Sequence, residues 1–434
     1  MHAITPEEIA GHLSVLTRDI GVRLAGSRAE RQAADYVAGQ LRRHGADVTV
    51  EEFPVRERVV TAQTLDIEAA GAWQAFPCSL LSNAPGTGGA PIEAPVAVID
   101  TQTGYQRDDL SWLSGKAVLH LGTHIERAED YRRLMAARPA FLMFVDVRYP
   151  AAVVTADGMF PAYLHQFGAV PTVSVAYQDA WNWVAGGATA ARLRVSGGMR
   201  DSTSQNVVGE MPGRDPSAGV VYVGAHHDTQ ADSVGADDNG SGVAAIIAIA
   251  GALAGVPRRR TIRIISFGAE EQLSVGSAVY VRRHRETVAA AGRFMLNFDA
   301  FGSHLGWTSL VCNGPEGIGP FLARHLRASG HYVKVVTDLV PYADHFPFVA
   351  AGVPAVWIGR NNCLAGRFFH HRPDDDMTRV SCPLVAQVAT ASAAGLAELA
   401  TLETLPFPDT VDARTKAAVA DMWDSLFGGW AGFA

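Results

Sequence analysis

From Asn206 onward, short β-branched runs alternate with longer helical stretches, and this alternation constrains the possible fold more than any other feature of the chain. Strand-like segments at 220–223, 261–267, 294–298 and 353–358 are followed by helical segments at 242–254, 274–290, 315–328 and 383–399. Strands that return in the same direction need a crossover, usually a helix. The order therefore predicts an α/β three-layer sandwich around a central mixed, mostly parallel sheet. Such strands are buried on both faces, which suits the run Ile262-Arg263-Ile264-Ile265.

The N-terminal part carries two helix-start signatures. Thr5-Pro6-Glu7-Glu8 places an N-cap, a proline at the first helical position and a capping-box acid in order, and Ser27-Arg28-Ala29-Glu30 repeats the box before a helix to about Arg43. Residues 47–55 have strand character, and 56–198 change pattern to short β-branched runs with Gly/Pro turns, such as 83–89. The expected organisation is a discontinuous main domain over 1–54 and 203–400, an inserted mainly-β or α+β domain over 55–202, and a tail over 401–434. The tail's Trp423, Phe427, Trp430 and Phe433 suggest packing on the body or on a second subunit, and so a possible homodimer.

Composition removes several classes. Among 434 residues, 48% are hydrophobic and 18% charged, which excludes a disordered chain or a coiled coil. A net charge of −8 argues against a nucleic-acid partner. The longest apolar run, 242–256, has 15 residues, short of the ~20 a bilayer needs, so no membrane partner is expected. The first residues lack a basic stretch followed by an apolar core, and Cys78, Cys312, Cys363 and Cys382 form no C-x-x-C pair. A cytoplasmic location is the expectation; a secreted mature form that had lost its leader would read the same way.

Four acid or histidine motifs fall at or beside the carboxyl ends of the strand-like segments: Gly224-Ala225-His226-His227-Asp228 continuing to Asp237-Asp238-Asn239-Gly240-Ser241-Gly242, then Gly268-Ala269-Glu270-Glu271, Asn297-Phe298-Asp299, and His370-His371-Arg372-Pro373-Asp374-Asp375. Open α/β sheets bind ligands at that edge, so the motifs are expected to share one crevice. Several carboxylates and two imidazoles held together on rigid strand ends repel one another without cations. Two metals ~3.5–4 Å apart, sharing a carboxylate, would neutralise the set and clamp a hydrolytic water. The neighbouring Glu270 and Glu271 suit a division between proton transfer and metal binding.

Competing readings fail on their own terms. An EF-hand starting at Asp237 needs Glu at its twelfth position, where Ala248 stands. Ser241 lacks the G-x-S-x-G frame of a nucleophile elbow, and no glycine spacing fits a dinucleotide or P-loop fingerprint. Arg258-Arg259-Arg260 reads as a solvated loop before a strand.

The string G-A-H-x-D, twelve residues from His226 to the Asp238 of D-N-G-S-G, followed by G-A-E-E, N-F-D and H-x-P-x-D, closely resembles the MH clan of dizinc metallopeptidases. That clan includes aminopeptidases, glutamate carboxypeptidases and glutaminyl cyclases. The stretch Gly21-Val22-Arg23-Leu24-Ala25-Gly26-Ser27 resembles the family's N-terminal G-x-R-x-x-G-S, and 55–202 resembles, more weakly, the protease-associated domain often inserted there. The resemblance implies Asp238 as bridging ligand, Glu271 and His371 completing one metal site, and His226 and Asp299 the other. It makes Glu270 the general base and Asp228 the carboxylate that orients His226. Tyr342, in a segment with Asp344-His345 that resembles the family's substrate-side loop, is implied as a donor to the oxyanion. His226 and His371 are chosen over His227 and His370 by register, and Arg372 stands where the family has Thr or Ser.

The function implied is that of an exopeptidase acting on peptide substrates with two divalent metal ions, Zn²⁺ or alternatively Co²⁺ or Mn²⁺. An aminopeptidase acting on short peptides is the first reading. A carboxypeptidase or aminoacyl-amide hydrolase could use the same metals, and a non-catalytic peptide-binding homologue is the alternative from a different class.

Overall fold

The computed structural model describes residues 2–432, so Phe433 of the tail lies outside the described residues. The chain divides into two compact units. The first holds the residues up to Val55, Ser202–Phe369 and Asp374–Trp430; the second holds Arg56–Asp201, His370–Pro373 and residues 431–432.

In the first unit the strand order is Val333–Val336, Trp307–Asn313, Ala355–Asn361, Gly292–Phe298, Val220–His226, Thr261–Phe267 and residues 207–211. The four strands from Ala355–Asn361 to Thr261–Phe267 run parallel, and an antiparallel neighbour flanks them on each side. Helix Gly242–Leu253 is apolar all round, with only Gly251 not fully buried. A helix without a polar face belongs inside, and it packs against Pro6–Ser14, Arg28–Arg43 and Cys382–Thr401. Cys382–Thr401 is long and apolar enough to cross a membrane by length and composition, yet here it shares that core. The opposite face of the sheet carries helices Val275–Arg283 and Phe346–Ala350, where Tyr222, Phe267, Tyr280 and Phe348 form one aromatic cluster.

The helix expected over 274–290 is interrupted at His284, giving Val275–Arg283 and Arg285–Ala291. His284 leaves helical geometry (φ −107°, ψ 22°), and its Nε2 lies 2.8 Å from Glu51 Oε1, a long-range partner that sequence pattern does not reveal. In the tail, helix Ala413–Phe427 packs on the unit's own helices: Phe427 stacks on Phe346 at 5.4 Å, and the Arg282 guanidinium lies 4.7 Å from the centre of the Trp423 ring.

The second unit has its own parallel sheet, in the order Ile92–Asp100, Ala117–Leu121, Phe141–Val145, Thr172–Val175. Helices Ala128–Ala136 and Pro161–Phe167 connect its later strands, and residues 65–69 and 72–76 form a hairpin.

Candidate metal centre

His226 is the last residue of its strand, Asp299 follows Gly292–Phe298, and Glu270 lies three residues past Phe267, the register partner of His226. Because these strands run parallel, all three residues reach the same edge of the sheet. The His226 Nε2 lies 3.2 Å from Asp238 Oδ1, 3.7 Å from Asp299 Oδ1 and 3.8 Å from Glu270 Oε2, and its Nδ1 lies 3.5 Å from Asp228 Oδ1. Donor atoms of His226, Asp238 and Asp299 all fall within 4.8 Å of one another, and all three residues are buried. Burial by itself would lower the imidazole pKa. Glu270, Asp228, Asp238 and Asp299 outweigh it and hold the ring well above its ordinary value.

This donor set fits a cation. The buried Nε2 faces three carboxylates without a hydrogen bond of acceptable geometry. A cationic group already answers the field: Arg367 Nη1 bonds Asp299 Oδ1 at 3.2 Å, with Nη2 3.9 Å from Asp238 Oδ2. Imidazole nitrogen with carboxylate oxygen is a zinc-type donor set.

The doublet at 226–227 is resolved by the direction of each ring. His227 points away, its Nδ1 2.9 Å from Ser266 Oγ, and burial pushes its pKa down to about 3. His371 belongs to the 370–373 segment of the second unit; there its carbonyl accepts from Ala156 N at 2.9 Å, and its Nδ1 lies 3.9 Å from Asp157 Oδ1. Glu271 is buried, and Tyr342 is 41% exposed. Asp344 is fully buried, and burial pushes its pKa up to about 7.

The loops that carry the acids are anchored by residues that sequence reasoning missed or assigned elsewhere. Asp228, expected only to orient His226, accepts the amides of Glu270 (3.0 Å) and Glu271 (3.1 Å). Asp375 accepts the amides of Asp237 (2.9 Å) and Asp238 (3.0 Å). Asn239 Nδ2 donates to the Phe298 carbonyl at 2.8 Å, and its Oδ1 accepts from Gly242 N at 2.9 Å, tying the Asp238 loop to the residue before Asp299. A Cβ at Gly242 would stand 2.2 Å from that Oδ1, so only glycine fits. Arg23 is wholly buried and donates to the carbonyls of His227, Leu16, Gly21, Val234 and Gly235, bracketing the loop between His226 and Asp238. Asp375 and Arg23 stood inside quoted motifs, but nothing in the pattern distinguished a backbone anchor from a ligand or a turn former.

Residues 206–395 match peptidase family M28 over the whole stretch from the first strand past the fourth motif. The chain is 25% identical over 429 residues to aminopeptidase YwaD of Bacillus subtilis, covering 95% of this chain and 89% of that one. Among solved structures, a zinc aminopeptidase from Bacillus subtilis superposes with a TM-score of 0.72 at 23% identity, covering 94% of this chain and 98% of that one. A peptidase M28 precursor from Shewanella amazonensis gives 0.76 at 20% identity, covering 93% and 95%. Both structures share the fold of this chain.

Proposed function

We propose that the chain is a metal-dependent aminopeptidase that removes N-terminal residues from short peptides. The observation that carries this reading is the ring of carboxylates, Asp228, Asp238, Asp299 and Glu270, around one buried imidazole at the sheet edge. Its support from relatives is the full-length similarity to an aminopeptidase. When bound, two divalent cations, zinc or alternatively cobalt or manganese, neutralise these acids, lower the pKa of water toward ~7 and polarise the scissile carbonyl.

By the family resemblance, Asp238 would be shared by both ions, Glu271 and His371 would hold one, and His226 and Asp299 the other. Glu270 accepts the proton of the attacking water and returns it to the leaving amine. Burial raises its pKa well above the carboxylate range; His226 opposes this, while Asp344, Asp299 and Glu271 reinforce it. The Glu270 Oε1 accepts from Ser274 Oγ at 2.9 Å, which fixes the side chain. The substrate's free α-amine sits beside Glu270 and Asp299, and Tyr342 donates to the oxyanion of the tetrahedral intermediate. The reading extends to a cytoplasmic protein whose second unit is of the protease-associated kind, without nucleic-acid partners; the net charge of −8 supports the last point.

The test is a mixed library of free and N-acetylated peptides incubated with the zinc-loaded protein and read by mass spectrometry. Stepwise loss from free N-termini with acetylated peptides untouched is the expected result. Trimming of acetylated peptides from the C-terminus would replace the reading by a carboxypeptidase.

A further inference from the structure

The segment that carries Glu270 is held in an unfavourable conformation. Ala269 (φ 53°), Leu273 (φ 75°) and Ser274 (φ 47°) are all non-glycine residues in the left-handed region. Such residues are unfavourable and persist only where the surroundings over-determine them.

Four successive amides supply that constraint. Gly268 N donates to Asn206 Oδ1 at 3.2 Å, Ala269 N to Glu30 Oε1 at 3.1 Å, and the amides of Glu270 and Glu271 to the two oxygens of Asp228. Three side chains from three distant parts of the chain thus hold one loop by its backbone. Of these, Glu30 is the one whose sequence context points elsewhere. The Ser27-x-x-Glu30 spacing reads as a capping box, and Ser27 does cap helix Arg28–Arg43 by accepting Glu30 N at 3.1 Å.

The Glu30 carboxylate, however, does not close the box on Ser27. Its Oε2 accepts from Gly26 N at 2.7 Å, and its Oε1 accepts from Ser204 Oγ at 2.6 Å as well as from Ala269 N. The residue is fully buried. A Cβ at Gly268 would lie 2.3 Å from Ser204 Oγ and 2.8 Å from Glu30 Oε1, so the loop approaches this carboxylate as closely as glycine allows. An exposed helix cap needs none of this. A buried acid with three donors, one of them the amide next to Glu270, is an anchor for that loop.

We propose that Glu30 is a positioning residue for Glu270, fixing the general base through the Ala269 amide while touching neither substrate nor metal. The proposal rests on the reading of Glu270 as base. Misplacing a catalytic group by about 1 Å costs on the order of 100-fold in rate, and Glu30→Gln removes one acceptor oxygen without changing side-chain volume.

The experiment is a double-mutant cycle with Glu270→Gln in the zinc-loaded protein, reading kcat and KM on an aminoacyl p-nitroanilide together with zinc content and Tm. We expect Glu30→Gln to lower kcat about 10- to 100-fold, to leave KM within about twofold and zinc content unchanged, and to add nothing on top of Glu270→Gln. Ser204→Ala, a milder cut at the same carboxylate, should give the same pattern at smaller amplitude and keeps the test open if Glu30→Gln folds poorly. An unchanged kcat in a folded, zinc-loaded variant, or a full multiplicative loss in the double variant, would overturn the proposal. Amide hydrogen exchange of the metal-free protein separates this from failure of the aminopeptidase reading. Faster exchange confined to the peptide spanning 268–275 supports the anchor even if no peptide is cleaved, and unchanged exchange there sinks it.

Discussion

Two buried histidines on parallel strands, one in each unit, have opposite chemistry. His120 lies in strand Ala117–Leu121, fully buried, stacked on Phe144 at 4.5 Å, with its Nδ1 3.2 Å from the Gly122 carbonyl. Burial dominates and pushes its pKa down to about 4. His226 is equally buried, yet four carboxylates reverse the direction. Burial alone therefore says nothing about function; what the buried ring faces decides whether a positive charge is expelled or drawn in. The acids near the strand ends differ in the same way. In the second unit, Asp100 folds back on Gln102 N, Thr103 N and Thr103 Oγ1, and Asp146 pairs with Arg148. In the first unit, Asp238, Asp299 and Glu270 converge on one imidazole.

The comparison can be broken or sharpened by substitution. The largest effect is expected for Glu270→Gln, which should keep its zinc and lose on the order of 10³-fold or more in kcat, as removal of a general base does. Zinc analysis beside steady-state kinetics checks this, and near-normal turnover would remove Glu270 from the chemistry. His226→Ala should release tightly bound metal and abolish activity, whereas His120→Leu should keep both; equal metal loss in the two variants would erase the contrast between the units. Asp375→Ala deprives the Asp237 and Asp238 amides of their acceptor and should weaken metal affinity by about 10–100-fold, as outer-sphere losses do, measurable by competition with a chelator.

The smallest effect is on stability. The folded-state pKa of His120 lies near 4, below its ordinary 6.5. The neutral ring therefore stabilises the native state fully above about pH 6.5, and this contribution is lost as pH falls toward 4. His120→Leu should flatten that part of the pH–Tm profile; an unchanged slope would mean the ring is not desolvated as the structure implies.

Much of the fold could be read from hydrophobic alternation. The pattern predicts strand 261–267 with the bounds it has, and the core helix at 242–253 one residue longer. Strands Trp307–Asn313 and Val333–Val336 were missed. The latter is a four-residue edge strand with two exposed residues, too short for a period-2 signal. In the site, the acid and histidine motifs were legible as metal-type chemistry because ligand chemistry requires particular residue types. The anchors were not: Glu30 reads as a helix cap and Asp375 as one acid in a run of three, and both bond backbone amides far away in sequence.

By itself, the sequence determined the α/β architecture and the types of residue that meet at the sheet edge, because strand and helix periodicity and donor chemistry are written residue by residue. The register of the motif also favoured His226 over His227, but only the tertiary structure decided how that imidazole meets the acids and which buried carboxylates hold the Glu270 loop. Those outcomes depend on strand register and on hydrogen bonds spanning 42 residues from Asp228 to Glu270 and 239 from Glu30 to Ala269, and no local pattern encodes them.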